Sequence, residues 1–150
     1  MKLEYTSLFT YVNQTVIMKV KIDTKEKFYV ITLMEPILTV NIAADLSQLV
    51  TKFLQQQISN VVLKITDVEN IEDKAAEELA QLQQLFYEKN TSFVICDVQA
   101  GVEQKLDELE LLEEMNITRT ESEAWDIVQM EEIERELLDG EDGEFPSKNG

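Results

Sequence analysis

The sequence predicts an α/β domain built on a partly parallel β-sheet. Stretches with strand character and stretches with helix character alternate, in the order β-β-(β)-α-β-α-β-α-(β)-α. The run Val61–Ile65 is almost continuously apolar, which is typical of a central strand that is covered on both faces. Alternation of this kind favours parallel strands joined by right-handed helical crossovers.

Composition and charge restrict what the chain can bind. Its 150 residues are 44% hydrophobic, enough for one globular domain, and the formal net charge is −17. Residues 101–150 hold 17 acids and four bases, against 13 acids and nine bases in the first hundred. The negative electrostatic field of this excess of acids repels phosphate backbones and anionic lipid surfaces. No apolar run approaches the roughly 18 residues that span a bilayer. We therefore expect neither a nucleic acid partner nor membrane insertion.

The first part of the domain is predicted to be a β-hairpin. Met18–Ile22 alternates apolar residues with lysine, and Phe28–Leu33 is rich in β-branched and aromatic residues. The polar turn between them makes an antiparallel pair the simplest arrangement. Ile37–Val40 is a candidate for a further short strand.

Two amphipathic helices flank the central strand. The first is capped by Asn41 or Asp45 and runs to about Gln57. The second begins at Asp73, whose carboxylate can accept hydrogen bonds from the free amides of the first turn, and it stops near Asn90.

The second half of the domain repeats the strand–helix pattern. Ser92–Val98 is predicted to be another buried strand, and Gly101 is expected to break the chain before a helix from Val102 to about Glu114. Met115–Arg119 then forms a short strand or edge.

A capping box opens the last helix, because Thr120 and Glu123 can satisfy each other's free amides. The helix is predicted to run to about Leu138 and to end at Gly140. Its inward residues are expected to be Ala124, Ile127, Met130, Ile133 and Leu137.

These patterns divide the chain into a domain at 18–138 with a segment on each side. Residues 1–17 have no clean period, so they are either an extra edge strand or a loosely held leader, and we favour the leader. Residues 139–150 are acidic and contain Gly, Pro, Ser and Asn, which predicts a disordered tail.

The pattern from Met18 to Leu138 resembles the STAS domain, which bacterial anti-sigma factor antagonists share with the cytoplasmic ends of sulfate transporters. The resemblance depends on five features: the strand Val61–Ile65, the turn Val68-x-x-Ile71, the helix with Leu79, the strand Ser92–Val98 and the closing helix at Thr120–Ala124. It implies a mixed sheet of four to five strands, with about four α-helices packed mainly on one face.

The functional motif of the family lies at the turn into the second helix. It reads Ile-Asp-Ser-Ser/Thr-Gly-Leu, and a partner kinase, the anti-sigma factor, phosphorylates its second hydroxyl. Here residues 71–76 read Ile-Glu-Asp-Lys-Ala-Ala, so Lys74 occupies the phosphoacceptor position. A lysine cannot take phosphate by the same chemistry, and neither Asp73 nor Lys74 reproduces the charge of a phosphoserine. The resemblance therefore implies no phosphoacceptor at this place.

The candidate protein-binding surface is the start of the second helix. It consists of Glu72, Asp73, Lys74, Glu77, Glu78 and Gln81. Ordinary helix capping explains each acid by itself, since carboxylates are favoured at the positive end of the helix dipole. The resemblance favours docking for the surface as a whole.

Other chemistry has little support in the sequence. Cys96 is the only cysteine, which fits a reducing, cytosolic compartment, and the chain contains no histidine to activate it. We interpret Cys96 as a buried packing thiol, and we expect no catalytic residue, metal site or cofactor. Gly101 stands alone and does not form a phosphate-binding loop. Trp125 is either a contact anchor or an edge of the core.

Two functional hypotheses remain open. The first is a cytoplasmic regulatory STAS protein that binds a protein partner, such as an anti-sigma factor or a serine kinase-like protein, without the usual phosphoserine switch. The second is a STAS-like structural subunit of a larger complex, such as a lipid-transport ATPase assembly. Both are non-catalytic, and the oligomeric state stays open in both.

Overall fold

The computed structural model describes residues 5–13 and 16–144, and it describes side chains from Met18 to Leu138. Four α-helices are present in this part of the chain: α1 Val40–Thr51, α2 Asp73–Glu88, α3 Ala100–Glu108 and α4 Glu121–Glu144. Eight strands accompany them: β1 Tyr5–Asn13, β2 Val16–Thr24, β3 Tyr29–Leu33, β4 Ile37–Leu38, β5 Val61–Lys64, β6 Asn70–Ile71, β7 Phe93–Cys96 and β8 Ile117–Thr118.

The main sheet is mixed, with strand order β1-β2-β3-β5-β7-β8. β1, β2 and β3 are antiparallel neighbours, whereas β5 pairs in parallel with both β3 and β7, and β7 pairs in parallel with β8. A separate parallel pair joins β4 to β6. The predicted hairpin, the central strand and the candidate strand at Ile37–Val40 are all present in this topology.

The segment before Met18 contributes a strand. β1 pairs with β2 along its whole length, from Tyr5 opposite Thr24 to Asn13 opposite Val16. The described part of the segment is thus an edge strand, which was the first of the two interpretations. The interpretation that we favoured, a loosely held leader, is wrong for residues 5–13. With β1 the main sheet has six strands, one more than the upper number that the resemblance implied.

Side chains of alternating direction give the sheet two cores. In β5, Val61 and Leu63 pack with α1, α2 and α3 on one face, while Val62 packs with α4 on the other. All three side chains are fully buried, as the continuous apolar run predicted. The predicted α/β class with helices mainly on one face is therefore confirmed.

Both ends of α1 differ from the sequence prediction, and α3 ends at Glu108 rather than near Glu114. The N-cap of α1 is Thr39, whose Oγ1 accepts a hydrogen bond from Ile42 N at 3.2 Å, so neither Asn41 nor Asp45 caps it. The α-helical part ends at Thr51, and a 3-10 turn follows from Lys52 to Gln55. The N-cap was missed because an apolar β-branched residue, Val40, fills the first helical position.

Gly101 does not break the chain, because it lies in the first turn of α3. A Cβ at this position would come within 3.1 Å of Glu69 O. The glycine therefore permits a close approach between α3 and the turn that leads into α2.

The last helix continues through Gly140 to Glu144. A single glycine costs a helix only about 1 kcal/mol relative to alanine, which does not by itself end it. Of the predicted disordered tail, residues 139–144 belong to α4, and residues 145–150 lie outside the described part. The capping box is present in modified form. Thr120 Oγ1 accepts from Glu123 N at 3.1 Å, and the Glu123 carboxylate accepts from Arg119 N at 3.0 Å.

The predicted inward stripe of α4 is correct only in its first turns. Ala124 is fully buried and Ile127 is half-buried, but Met130, Ile133 and Leu137 are exposed. Past Val128 the helix meets the sheet through polar side chains instead. The spacing of the three exposed residues predicted a helical face correctly, but spacing alone does not say which face meets the sheet.

We expect Leu63→Ala to lower the free energy of unfolding by about 2–5 kcal/mol, because the side chain is fully buried in the central strand and leaves a cavity. Urea unfolding measures the loss. The control is Ile133→Ala, which truncates an exposed aliphatic side chain on α4 and should change stability by about 0.5 kcal/mol or less. Equal losses in the two variants would contradict the assignment of β5 to the core.

Candidate functional site

The candidate site lies where the parallel strands end. The chain leaves β5, β7 and β8 at the same edge of the sheet and enters α2, α3 and α4 there, so three helix N-termini are neighbours. In open α/β sheets, ligands and partners are commonly bound at this edge. The turn between β5 and α2 is anchored by Val68 and Ile71, both of which are buried.

The α2 surface consists of the six predicted residues Glu72, Asp73, Lys74, Glu77, Glu78 and Gln81. The structure brings them together on the first turns of α2, where Glu78 is half-buried and the other five are exposed. No side chain caps this helix, because its N-cap is Glu72 and the Glu72 carboxylate points elsewhere. The predicted capping role of Asp73 is therefore wrong, since Asp73 is the first helical residue.

Both acids at the start of α2 tie it to neighbouring helices. Glu72 Oε1 accepts a hydrogen bond from Val40 N at 2.9 Å, which satisfies a free amide at the start of α1. Asp73 Oδ1 accepts from Lys105 Nζ of α3 at 2.8 Å, and this pairing raises the pKa of Lys105. The two carboxylates therefore fix the position of α2 relative to α1 and α3.

Lys74 has no comparable structural role. It is exposed, and the structure shows no ion pair between it and another described residue. A cation in the first turn of a helix is disfavoured by the positive end of the helix dipole. Helix stability therefore explains Glu72 and Asp73 but does not explain Lys74.

Two exposed apolar residues lie beside the α2 surface. Ile37 is 48% exposed on β4, which pairs with β6 directly before α2, and Val40 is 44% exposed where Glu72 bonds its amide. Neither was predicted from the sequence as a candidate contact residue. The signal was present in the apolar run from Ile37 to Val40, but without the β4–β6 pairing nothing connected that run to α2.

A polar cluster lies next to this surface at the ends of β5 and β7. Lys64 Nζ lies 3.2 Å from Glu121 Oε1 and 3.9 Å from Asp97 Oδ2, and Thr66 Oγ1 donates to the same Asp97 oxygen at 2.9 Å. Burial by itself would lower the pKa of Lys64. The hydrogen bond to Glu121 and the negative charge of Glu121 outweigh burial, so the pKa of Lys64 is raised. The cluster links β5, β7 and the start of α4, so it holds these three elements in position beside the site.

Cys96 is a buried thiol in β7. Burial, together with the negative charges of Asp97 and Glu121, raises its pKa to about 12. A thiol held in its neutral form is a poor nucleophile. This agrees with the interpretation of Cys96 as a packing residue.

Trp125 belongs to the smaller core. Its ring lies edge-on to Phe28 with centroids 5.3 Å apart, and its Nε1 donates to Glu121 Oε2 at 3.1 Å. Of the two interpretations of Trp125, the edge of the core is thus the one that its contacts support.

Among the described residues, no group of three or more Asp, Glu, Cys or His side chains is arranged to hold a metal ion. None of the helices in the described part of the chain is both long and apolar enough to cross a bilayer. A cleft of about 600 Å³ borders the α2 surface at Glu77 and Gln81, and its lining combines apolar side chains such as Phe93 and Leu111 with polar ones such as Asn116.

Comparison with known proteins places this geometry in a family. The family model described as the STAS domain matches residues 19–124, which confirms the resemblance inferred from the sequence. No curated protein sequence matches the chain.

Solved structures with the same fold include three of different kinds. One is TM1081 of Thermotoga maritima, a candidate anti-sigma factor antagonist, with 24% identity, a TM-score of 0.57 and coverage of 67% of this chain and 87% of that one. A variant of RsbS from Moorella thermoacetica has 18% identity, a TM-score of 0.61 and coverage of 73% and 94%. The murine anion transporter Slc26a9 has 13% identity, a TM-score of 0.60 and coverage of 85% and 22%. At these identities the likeness shows the fold.

We expect the folded chain to resist alkylation of Cys96 by iodoacetamide at pH 8. Because the thiol is buried with a pKa of about 12, it should react at least about 100-fold more slowly than in the urea-unfolded chain. Intact-mass spectrometry over time measures both rates. Modification of the folded chain at the unfolded rate would show that the thiol is accessible and ionised, contrary to the structure.

Proposed function

We propose, from the premise that this chain belongs to the STAS domain family, that it is a non-catalytic protein-binding module whose contact site is the α2 surface. The observation that carries the proposal is the exposed Lys74, which the helix dipole disfavours and which no contact among the described residues explains. A lysine at such a position is best explained by a partner that contacts it.

The composition of the site supports a protein partner. Ile37 and Val40 supply an apolar centre, and the α2 surface surrounds one side of it with charged and amide groups. An apolar centre with a polar rim is the usual anatomy of a protein–protein contact. Glu72 and Asp73 are already bonded to α1 and α3, so the surface is held in place before a partner arrives.

Regulation at this surface would not use the phosphate switch of the family. From Asp67 to Gln81 the sequence contains no hydroxyl side chain, and Lys74 stands at the phosphoacceptor position. Binding would therefore be controlled by the amounts of the two proteins or by an event elsewhere. The partner we propose is a cytoplasmic anti-sigma factor or serine kinase-like protein, the class that the resemblance implies.

The alternative is a structural subunit of a larger assembly. Both functions use the same contact site, and they differ in the lifetime and stoichiometry of the complex. A transient complex with one partner supports the regulatory module, whereas a stable complex of several subunits supports the structural role.

We expect Lys74→Glu to weaken partner binding at least tenfold while leaving the fold intact. The change reverses the charge of the contact but improves the helix dipole interaction, so the free energy of unfolding should stay level or rise by about 0.3–1 kcal/mol. Co-purification of a tagged full-length chain, quantified by mass spectrometry, measures binding, and urea unfolding measures stability.

The matched control is Lys89→Glu, the same charge reversal at the other end of α2. It should retain the partner, because Lys89 lies outside the α2 surface. Lys105→Gln is a second control. It breaks the ion pair between Lys105 and Asp73 but leaves all six residues of the α2 surface in place. Undiminished co-purification by Lys74→Glu would overturn the proposed contact site.

A further inference from the structure

The second half of α4 carries an apolar stripe that the described residues leave exposed. Met130 is 49% exposed, Ile133 is 56% exposed and Leu137 is 62% exposed. Their spacing of three and four residues places them on one face of the helix. Large apolar residues that form a contiguous exposed patch mark an interaction site more often than scattered ones do.

The stripe faces away from the sheet. Residues of α4 that meet the domain belong to the opposite face, where Ala124 and Val128 are buried in the smaller core. One and two turns further on, the same face is polar: Glu131 accepts from Ser92 Oγ at 2.5 Å, and Arg135 donates to Ser92 Oγ at 3.3 Å.

This polar contact holds the second half of α4 firmly. Asn60 Nδ2 also donates to Glu132 Oε2 at 2.6 Å, and Asn60 itself is buried. Rotating the helix to bury the stripe would break these bonds and leave buried polar groups unsatisfied, which is a strong penalty in a protein interior. The outward direction of the stripe is therefore built into the structure.

The charged residues of α4 itself that lie beside the stripe are all acidic. Asp126, Glu134 and Glu136 are exposed beside it. Residues 121–138 contain seven acids and one base, and that base, Arg135, is turned toward the sheet by its bonds to Ser92 and Asn60. A complementary surface must therefore combine apolar residues with a cationic rim.

We propose that the α4 stripe, Met130, Ile133 and Leu137, binds a basic amphipathic helix of another protein. Apolar side chains of that helix at three- and four-residue steps would pack along the stripe, and its lysine or arginine residues would pair with Asp126, Glu134 and Glu136. This mode is the packing of a helix on a complementary apolar face, with long-range attraction between opposite charges.

A second copy of the chain fits the stripe poorly. Two α4 helices in contact would bring their exposed acids together with no exposed base in residues 121–138 of either helix to compensate, which costs free energy. An anionic membrane is repelled for the same reason.

With the α4 stripe occupied, the domain would have two contact surfaces. α4 covers one face of the sheet, and α2 lies on the other. A partner on the α2 surface and a basic helix on α4 can therefore be bound at the same time, so the domain would link two proteins.

The test uses a synthetic helix of about 18 residues, five turns, with leucines in an i, i+3, i+7 pattern and lysines elsewhere. A scrambled peptide of the same composition lacks the apolar face but keeps the charge. Fluorescence anisotropy with the full-length chain should show binding of the amphipathic peptide, and at least tenfold weaker binding of the scrambled one. Ile133→Gln with Leu137→Gln should also weaken binding at least tenfold, because the charge is kept and the apolar contact is lost.

Three further variants show whether the peptide binds at the α4 stripe and its acidic rim. Tyr87→Gln, which removes an exposed aromatic side chain on the other face, should bind as the unchanged chain does. Lys74→Glu should also bind the peptide normally, so failure of the α2 surface and failure of this proposal are distinguishable. Glu134→Gln with Glu136→Gln should weaken binding and reduce its dependence on salt.

Two results would overturn the proposal. Equal binding of the amphipathic and scrambled peptides would show attraction to net charge alone. Sedimentation of the unchanged chain as a dimer that Ile133→Gln with Leu137→Gln abolishes would identify a second copy as the occupant.

Discussion

The parallel pairing of β5 between β3 and β7 is the constraint on which the rest of the structure depends. A central parallel strand must be covered on both faces, and Val61, Val62 and Leu63 supply the apolar side chains that recruit helices to each side. Parallel pairing also sends the chain out of neighbouring strands at one edge. The starts of α2, α3 and α4 are neighbours for that reason, and the carboxylates of Glu72 and Asp73 then fix α2 within the group.

The local sequence pattern was sufficient to predict the strands and helices that are buried on one face or on both faces. Strand periodicity identified β2, a continuous apolar run identified β5, and the prediction of an amphipathic α2 was correct because Leu79, Leu82 and Phe86 all meet the same core. Asn90 has a φ of 61°, the left-handed conformation expected of a residue that stops a helix.

The errors arose where the partner of a residue is distant in sequence. Periodicity placed Met130, Ile133 and Leu137 on one face, but the bonds of Glu131 and Arg135 to Ser92 decide that this face points outward. The contact role proposed for Ile37 and Val40 depends on the pairing of β4 with β6, and the real partner of Asp73 is Lys105, 32 residues later. No local signal encodes these pairings.

The acidic charge of the chain acquires a specific meaning from its distribution. The α4 stripe has an all-acidic rim, whereas the α2 surface combines acids with an exposed lysine. The two proposed surfaces would therefore attract different partners, one a basic helix and the other a surface with both apolar and charged contacts.

Amide hydrogen exchange of the full-length chain, alone and with its co-purified partner, tests the α2 surface most directly. The amides of Asp73, Lys74 and Ala75 have no acceptor within the helix, so they exchange quickly when exposed. If the α2 surface is the contact site, the partner slows exchange at these amides and around Val40. Unchanged exchange there, with protection confined to other parts of the chain, would contradict that assignment.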